Sequence, residues 1–231
     1  MPKCQNIYGN REGELGSWGS LMDTPSNFDP SDFFNTGMTE MNGFTLTTGT
    51  EQNQTYASVS TTNSTGILPN NAYNRYNFSI RNTAKFCDNK LSLDLGAQYI
   101  IQNNKNMVGS GQYFNPLVSL YLFPRGENFQ EVQMYERYSE ARNLMVQYWP
   151  ESIFGTDLDM QNPYWIMNRM QNELSKRRYM FNASLKWDIT DWVNVTGRVR
   201  VDNSDSDSYE KYYASTRGTF TESSSKGYYG H

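Results

Sequence analysis

The stretch LSLDLGAQYIIQ, residues 91–102, decides how this chain is read. Its odd positions carry Leu91, Leu93, Leu95, Ala97, Tyr99 and Ile101, while its even positions include Ser92, Asp94, Gln98 and Gln102. Successive side chains of a strand point to opposite faces, so the segment is a β-strand with one apolar and one polar face. Lipid on the first face and water on the second would satisfy both.

The same alternation recurs on both sides of this stretch. Residues 73–84 set Tyr76, Phe78 and Ile80 against Asn77, Ser79 and Arg81, and Cys87-Asp88-Asn89-Lys90 forms a tight turn into the decisive strand. Residues 179–189 set Tyr179, Phe181, Ala183, Leu185, Trp187 and Ile189 against Met180, Asn182, Ser184, Lys186 and Asp188. Thr190-Asp191 then turns the chain into residues 192–202, where Val193, Val195, Val199 and Val201 oppose Asn194, Thr196, Arg198 and Arg200. Two further strands are expected at 43–50 and 54–61, joined by Glu51, Gln52 and Asn53.

Half-exposed sheets of soluble sandwiches alternate in this way too. Two observations favour a membrane wall. The clearest strands run about ten to twelve residues, matching the ~9–11 that cross a bilayer at a tilt, whereas soluble strands cluster near five or six. Connections also go short, long, short, long, which is the rhythm of periplasmic turns and extracellular loops. Asp94, Lys186, Asp188, Arg198 and Arg200 on the polar face suit a water-filled lumen better than a packed core.

The composition agrees. Of 231 residues only 37% are hydrophobic, yet 15% are aromatic, with 17 Tyr, 12 Phe and 5 Trp. A barrel reconciles these figures, because only alternate strand residues are apolar and aromatics gather at the membrane interfaces. No run approaches the ~20 apolar residues of a membrane helix. The net charge of -4 and the lack of a basic stripe along the sequence exclude an electrostatic case for nucleic acid. Cys4 and Cys87 are too few for a disulfide framework and fit no zinc spacing, and the one histidine, His231, offers no triad. Neither a cofactor nor an enzymatic activity is expected.

Residues 1–42 read as a loop region with one helical turn near Ser31, expected to be its N-cap. Residues 103–177 form a long extracellular loop, the expected functional region, and residues 203–231 a further loop with the start of another strand. Within the long loop, Tyr113, Phe114, Trp149, Tyr164 and Trp165 are the candidate substrate-binding residues, because flat aromatic faces stack on sugar rings. Packing of the loop against itself competes for the same side chains. The run Asp202-Asn203-Ser204-Asp205-Ser206-Asp207 lacks the Gly and closing Glu of a calcium loop and is expected to be a solvated loop. Asp157 and Asp159, as a glycosidase pair, have no fixed separation.

Several stretches carry a family resemblance: DFFNTG (32–37), GILPNN (66–71), YNRYNFSIR (73–81), KLSLDLGAQYIIQ (90–102), GQYFNPLVSLYLFPRG (111–126), MQNPYWIMNR (160–169) and RYMFNASLKWDITDWVNVTGRVRVD (178–202). In these the chain resembles the SusC/RagA-type TonB-linked outer-membrane transporters of Bacteroidetes. The resemblance implies a barrel of about 22 strands, so the six strands read from alternation are expected to be an all-β, partial antiparallel transmembrane β-barrel. It also implies a plug, a TonB-contacting segment, a SusD-like surface lipoprotein over the mouth, and import of oligosaccharides or peptides across the outer membrane. No plug, TonB-contacting segment or signal sequence is legible, so the chain is expected to be an internal barrel fragment, inactive by itself. The alternative is a soluble, secreted β-sheet glycan-binding module.

Overall fold

The computed structural model describes residues 29–111, 113–123, 128–149, 160–223 and 225–231. Seven strands, β1 (Met38–Gly49), β2 (Asn53–Thr65), β3 (Ala72–Phe86), β4 (Leu91–Lys105), β7 (Met170–Thr190), β8 (Val193–Tyr212) and β9 (Tyr228–Gly230), form one antiparallel sheet. Their order is β1-β2-β3-β4-β7-β8-β9, so neighbours in sequence are neighbours in space and the sheet ends on β1 and β9. A separate hairpin pairs β5 (Glu136–Ser139) with β6 (Leu144–Gln147).

Every strand expected from alternation is present, and each runs further than expected toward the end that carries the long connections. β7 begins at Met170 instead of 179, and β8 ends at Tyr212 instead of 202. In the extensions apolar residues no longer fall on one face, as with Met38 and Met41 in β1 or the polar run 203–208 in β8, so alternation fades while backbone pairing continues. The run from Asp202 to Asp207 is therefore not a loop; it lies within β8, paired from Met180 to Ser175 of β7. The boundaries expected at 42, 102, 177 and 202 shift for the same reason.

Pairing aligns the apolar positions across strands. One row runs Phe44, Val59, Phe78, Tyr99 and Tyr179; the next runs Leu46, Ala57, Ile80, Ala97, Phe181 and Val201. No second layer among the described residues covers this face: Phe44 is 69% exposed and Val199 68%. The apolar band also slants across the register. It centres on Thr45 in β1 and on Gly197 in β8, while the pairing row through Thr45 reaches β8 at Asp202. A slide of about five residues over about five strand spacings corresponds to a strand tilt of roughly 35° from the band's normal.

At one end of the sheet the connections are tight. Cys87, Asp88 and Asn89 all take left-handed backbone, with φ of 54°, 54° and 67°, a conformation that Asp and Asn tolerate better than most residues. The Thr190 hydroxyl accepts from the Val193 N–H at 3.1 Å, closing the β7–β8 turn beside a register shift at Asp188 and Thr190.

At the other end, the described residues of the segment expected as a long loop form regular structure. They carry α1 (Pro116–Leu122), α2 (Phe129–Gln133), the β5–β6 hairpin and α3 (Pro163–Arg169). Each helix starts on an asparagine, Asn115, Asn128 or Asn162, whose side chain accepts a backbone N–H of the first turn. The expected turn near Ser31 is a 3-10 helix, Pro30–Phe33, but its cap is Asp29, whose carboxylate accepts the Ser31 N–H at 2.8 Å. Phe33, Leu68, Leu120, Phe123, Phe129, Val132, Trp149 and Met167 pack into the main core of this cap. Each fully buried large side chain contributes about 1.5–3 kcal/mol, so the cap has a hydrophobic core of its own.

Candidate functional site

The cap leans over the polar face of the sheet. Met170 and Tyr212 are cross-strand partners on that face, and they pack with Trp165, Ile166, Phe114 and Tyr135. Beside them lies a pocket of about 400 Å³. Two cross-strand pairs, Met170 with Tyr212 and Asn172 with Glu210, form its floor, while Met107, Val108, Phe114, Ile166 and Met167 supply apolar walls. The Tyr212 hydroxyl donates to the Glu210 carboxylate at 3.4 Å. An apolar cleft with a few convergent polar groups is the usual form of a small-ligand site.

An asparagine junction holds one wall of that pocket. Asn106 is buried, with a left-handed φ of 49°. Its amide donates to the carbonyls of Asn70 and Met167, both at 3.0 Å, and its side-chain oxygen accepts the Asn172 N–H at 3.0 Å. Asn71 donates to the Asn106 carbonyl at 2.8 Å, and Asn70 to the Met167 carbonyl at 3.1 Å. Three asparagines thus tie the β2–β3 connection, the end of β4, α3 and β7 together. Asn162 acts similarly inside the cap, donating to Val132 and Tyr148 carbonyls at 2.8 and 2.9 Å.

The five aromatic candidates separate. Tyr113 and Phe114 meet Phe220, with ring centroids 5.5 and 5.0 Å away, and of the five only Phe114 lines the pocket. Trp149 is buried against Phe123 at 5.9 Å, and Tyr164 stands edge-on to Phe33 at 4.9 Å. Trp165 is 1% exposed, and its indole N–H donates to the Thr216 hydroxyl at 3.1 Å. Burial pushes the Tyr164 phenol up, with Asp32 adding to the shift and a hydrogen bond from Gln133 opposing it. Asn106, Asn172, Glu210 and Tyr212 were not marked by the sequence. Asn70-Asn71 was legible only as a turn, and Glu210 and Tyr212 belong to a span with no apolar alternation.

The polar face of the sheet carries three ion pairs: Arg81 with Asp94 at 2.8 Å, Arg178 with Asp202 at 2.5 Å and Lys186 with Asp188 at 2.8 Å. Uncharged groups fill the gaps, as where Gln98 donates to Asn77 at 2.7 Å. Gly96 leaves room for the Asn182 side chain that overlies it: a Cβ there would sit 2.3 Å from the Asn182 side-chain oxygen, and that side chain would have to turn aside.

Among the described residues, no three His, Cys, Asp or Glu side chains converge as metal ligands. The carboxylates of residues 202–207 cannot, because Asp202 lies on the polar face and Asp205 and Asp207 on the other. Asp157, Asp159 and Cys4 lie outside the described residues. No model of a known protein family matches the chain, and no curated protein sequence matches it either.

Proposed function

We propose that this chain forms part of the wall and mouth of a TonB-dependent outer-membrane transporter that imports oligosaccharides or peptides. In this reading, outer-membrane lipid contacts the apolar face, the polar face lines the lumen, and a SusD-like lipoprotein covers the mouth above the cap.

The observation that carries the reading is the exposed apolar band and its slant. A soluble protein rarely exposes so large a contiguous apolar surface, whereas a bilayer requires one. The tilt of roughly 35° lies at the lower edge of the range of about 35–45° that closed transmembrane barrels need. Tight turns at one end and a folded cap at the other suit the periplasmic and extracellular sides. The motifs resembling SusC/RagA transporters, among them residues 90–102 and 178–202, support the same reading.

The test uses single cysteines in the outer membrane of cells that make the protein. Cysteine at Leu95 or Val199 is expected to react with a bilayer-partitioning thiol reagent and to be shielded from a water-soluble one, with the reverse at Gln98 and Thr196. Uptake of labelled oligosaccharide or peptide should stop when a protonophore collapses the proton gradient. Recovery of the protein in the soluble secreted fraction, monodisperse without detergent, would refute the reading in favour of a soluble glycan-binding module.

A further inference from the structure

The register sorts charge between the two faces of the sheet in a way the net charge hides. Four cations on the polar face, Arg75, Lys85, Lys176 and Arg198, belong to none of its ion pairs. A fifth, Arg200, reaches Asp202 only at 4.0 Å, and that carboxylate already holds Arg178. With the three ion pairs cancelling and Glu210 the one further acid among the face's strand residues, the polar face carries a surplus of about four positive charges in a chain of net charge -4. These cations are arranged. Arg75 and Lys176 flank Gln102 in one cross-strand row; Arg200 lies in another, across Asn182 and Gly96 from Arg81, whose charge Asp94 already meets. Arg198 and Arg200 are exposed two residues apart on β8, facing Ser184 and Asn182.

We infer that this face guides an anionic oligosaccharide, one whose sugars bear carboxylate or sulfate groups. The inference rests on the transporter reading and names the class of its cargo. Unpaired cations held on one wall repel each other, and an anion passing along them relieves that repulsion. Guanidinium forks match the paired oxygens of carboxylate and sulfate. Between them, Ser79, Asn77, Gln98, Asn182 and Ser184 supply hydroxyl and amide groups at the spacing of the strand. Such groups suit a ligand rich in hydroxyls better than an acidic peptide with few.

The experiment uses the protein extracted from its membrane in detergent. Binding is measured for four probes of equal length: dextran sulfate, oligogalacturonate, unmodified dextran and oligoglutamate. At least one of the first two is expected to bind about ten-fold or more tighter than dextran and oligoglutamate, with affinity falling as salt rises. Arg198→Gln with Arg200→Gln should weaken that binding about ten-fold. Arg177→Gln with Lys211→Gln removes the same charge from the other face and should leave it within about two-fold. Arg198→Lys with Arg200→Lys keeps the charge and should retain most binding, separating loss of the cations from misfolding. Equal binding of dextran, equal binding of oligoglutamate, or equal losses in both neutralised variants would each overturn the inference. The cysteine-labelling pattern is independent of these outcomes, so failure of the cargo assignment and failure of the transporter reading are told apart.

Discussion

Arg169, at the C-terminal end of α3, grips Glu136 of the β5 strand through both forks of its guanidinium, Nε to Oε2 at 2.7 Å and Nη2 to Oε1 at 2.8 Å. Arg169 leads directly into β7, so the pair fixes the hairpin of the cap to the sheet. The Glu136 hydrogen bond holds the guanidinium above its usual range, burial opposing it, and the Tyr213 ring lies 4.7 Å from the same group. Both side chains are mostly buried, with 26% and 18% exposed, so removing one partner strands a charge. Arg169→Ala or Glu136→Ala is expected to destabilise the cap by about 1–3 kcal/mol, with a coupling energy of similar sign in the double-mutant cycle. Hydrogen exchange across residues 129–147 measures it; additive effects would mean that the pair does not join hairpin and sheet.

Asn106 is the second fixed point. Asn106→Ala loses three side-chain hydrogen bonds and keeps a left-handed backbone that Ala disfavours. A loss of about 2–4 kcal/mol in cap stability is expected. Asn106→Gly relieves the backbone alone and should recover only a minor part. Thermal denaturation followed by tryptophan fluorescence distinguishes them, since Trp165 and Trp149 both lie in the cap's cores.

The two faces predict opposite tolerance to charge. On the transporter reading proposed above, Arg at Leu95 or Val199 should destabilise the membrane-inserted protein by about 2–4 kcal/mol, whereas Arg at Gln98 or Thr196 should matter much less. The yield of folded protein in outer membranes reads this out. Equal tolerance at both sets would abolish the face assignment.

Tyr164 makes the cap sensitive to alkali. Burial, the largest cause, raises its phenol above the ordinary value and so favours the neutral form in the folded state. The resulting stability is complete below the unfolded value of about 10 and is lost as pH rises through the higher folded value. Tyrosinate absorbance followed together with cap unfolding should show the loss, and Tyr164→Phe should remove that share of it. An identical alkaline transition in the variant would assign the effect elsewhere.

Alternation was enough to locate six strands, their two faces and the tight turns, because a period of two is written residue by residue wherever apolar and polar environments differ. It stopped where the difference stops. The polar extensions of β7 and β8, and with them Asn172, Glu210 and Tyr212 of the pocket floor, left no periodic mark. Among the candidate aromatics, composition could say that Trp149, Tyr164 and Trp165 matter without saying whether they face a ligand or a core. Their burial depends on Phe33, Phe123 and Thr216, partners far away in sequence.

Local patterning thus carries the all-β class, the apolar and polar faces and the rhythm of connections. The rows of cross-strand neighbours, the slant of the apolar band, the packing of α1, α2, the β5–β6 hairpin and α3 into a cap over the polar face and the surplus of unpaired cations there come from the three-dimensional fold. Each of these depends on register and long-range contact, where a shift of one residue would carry every side chain to the opposite face.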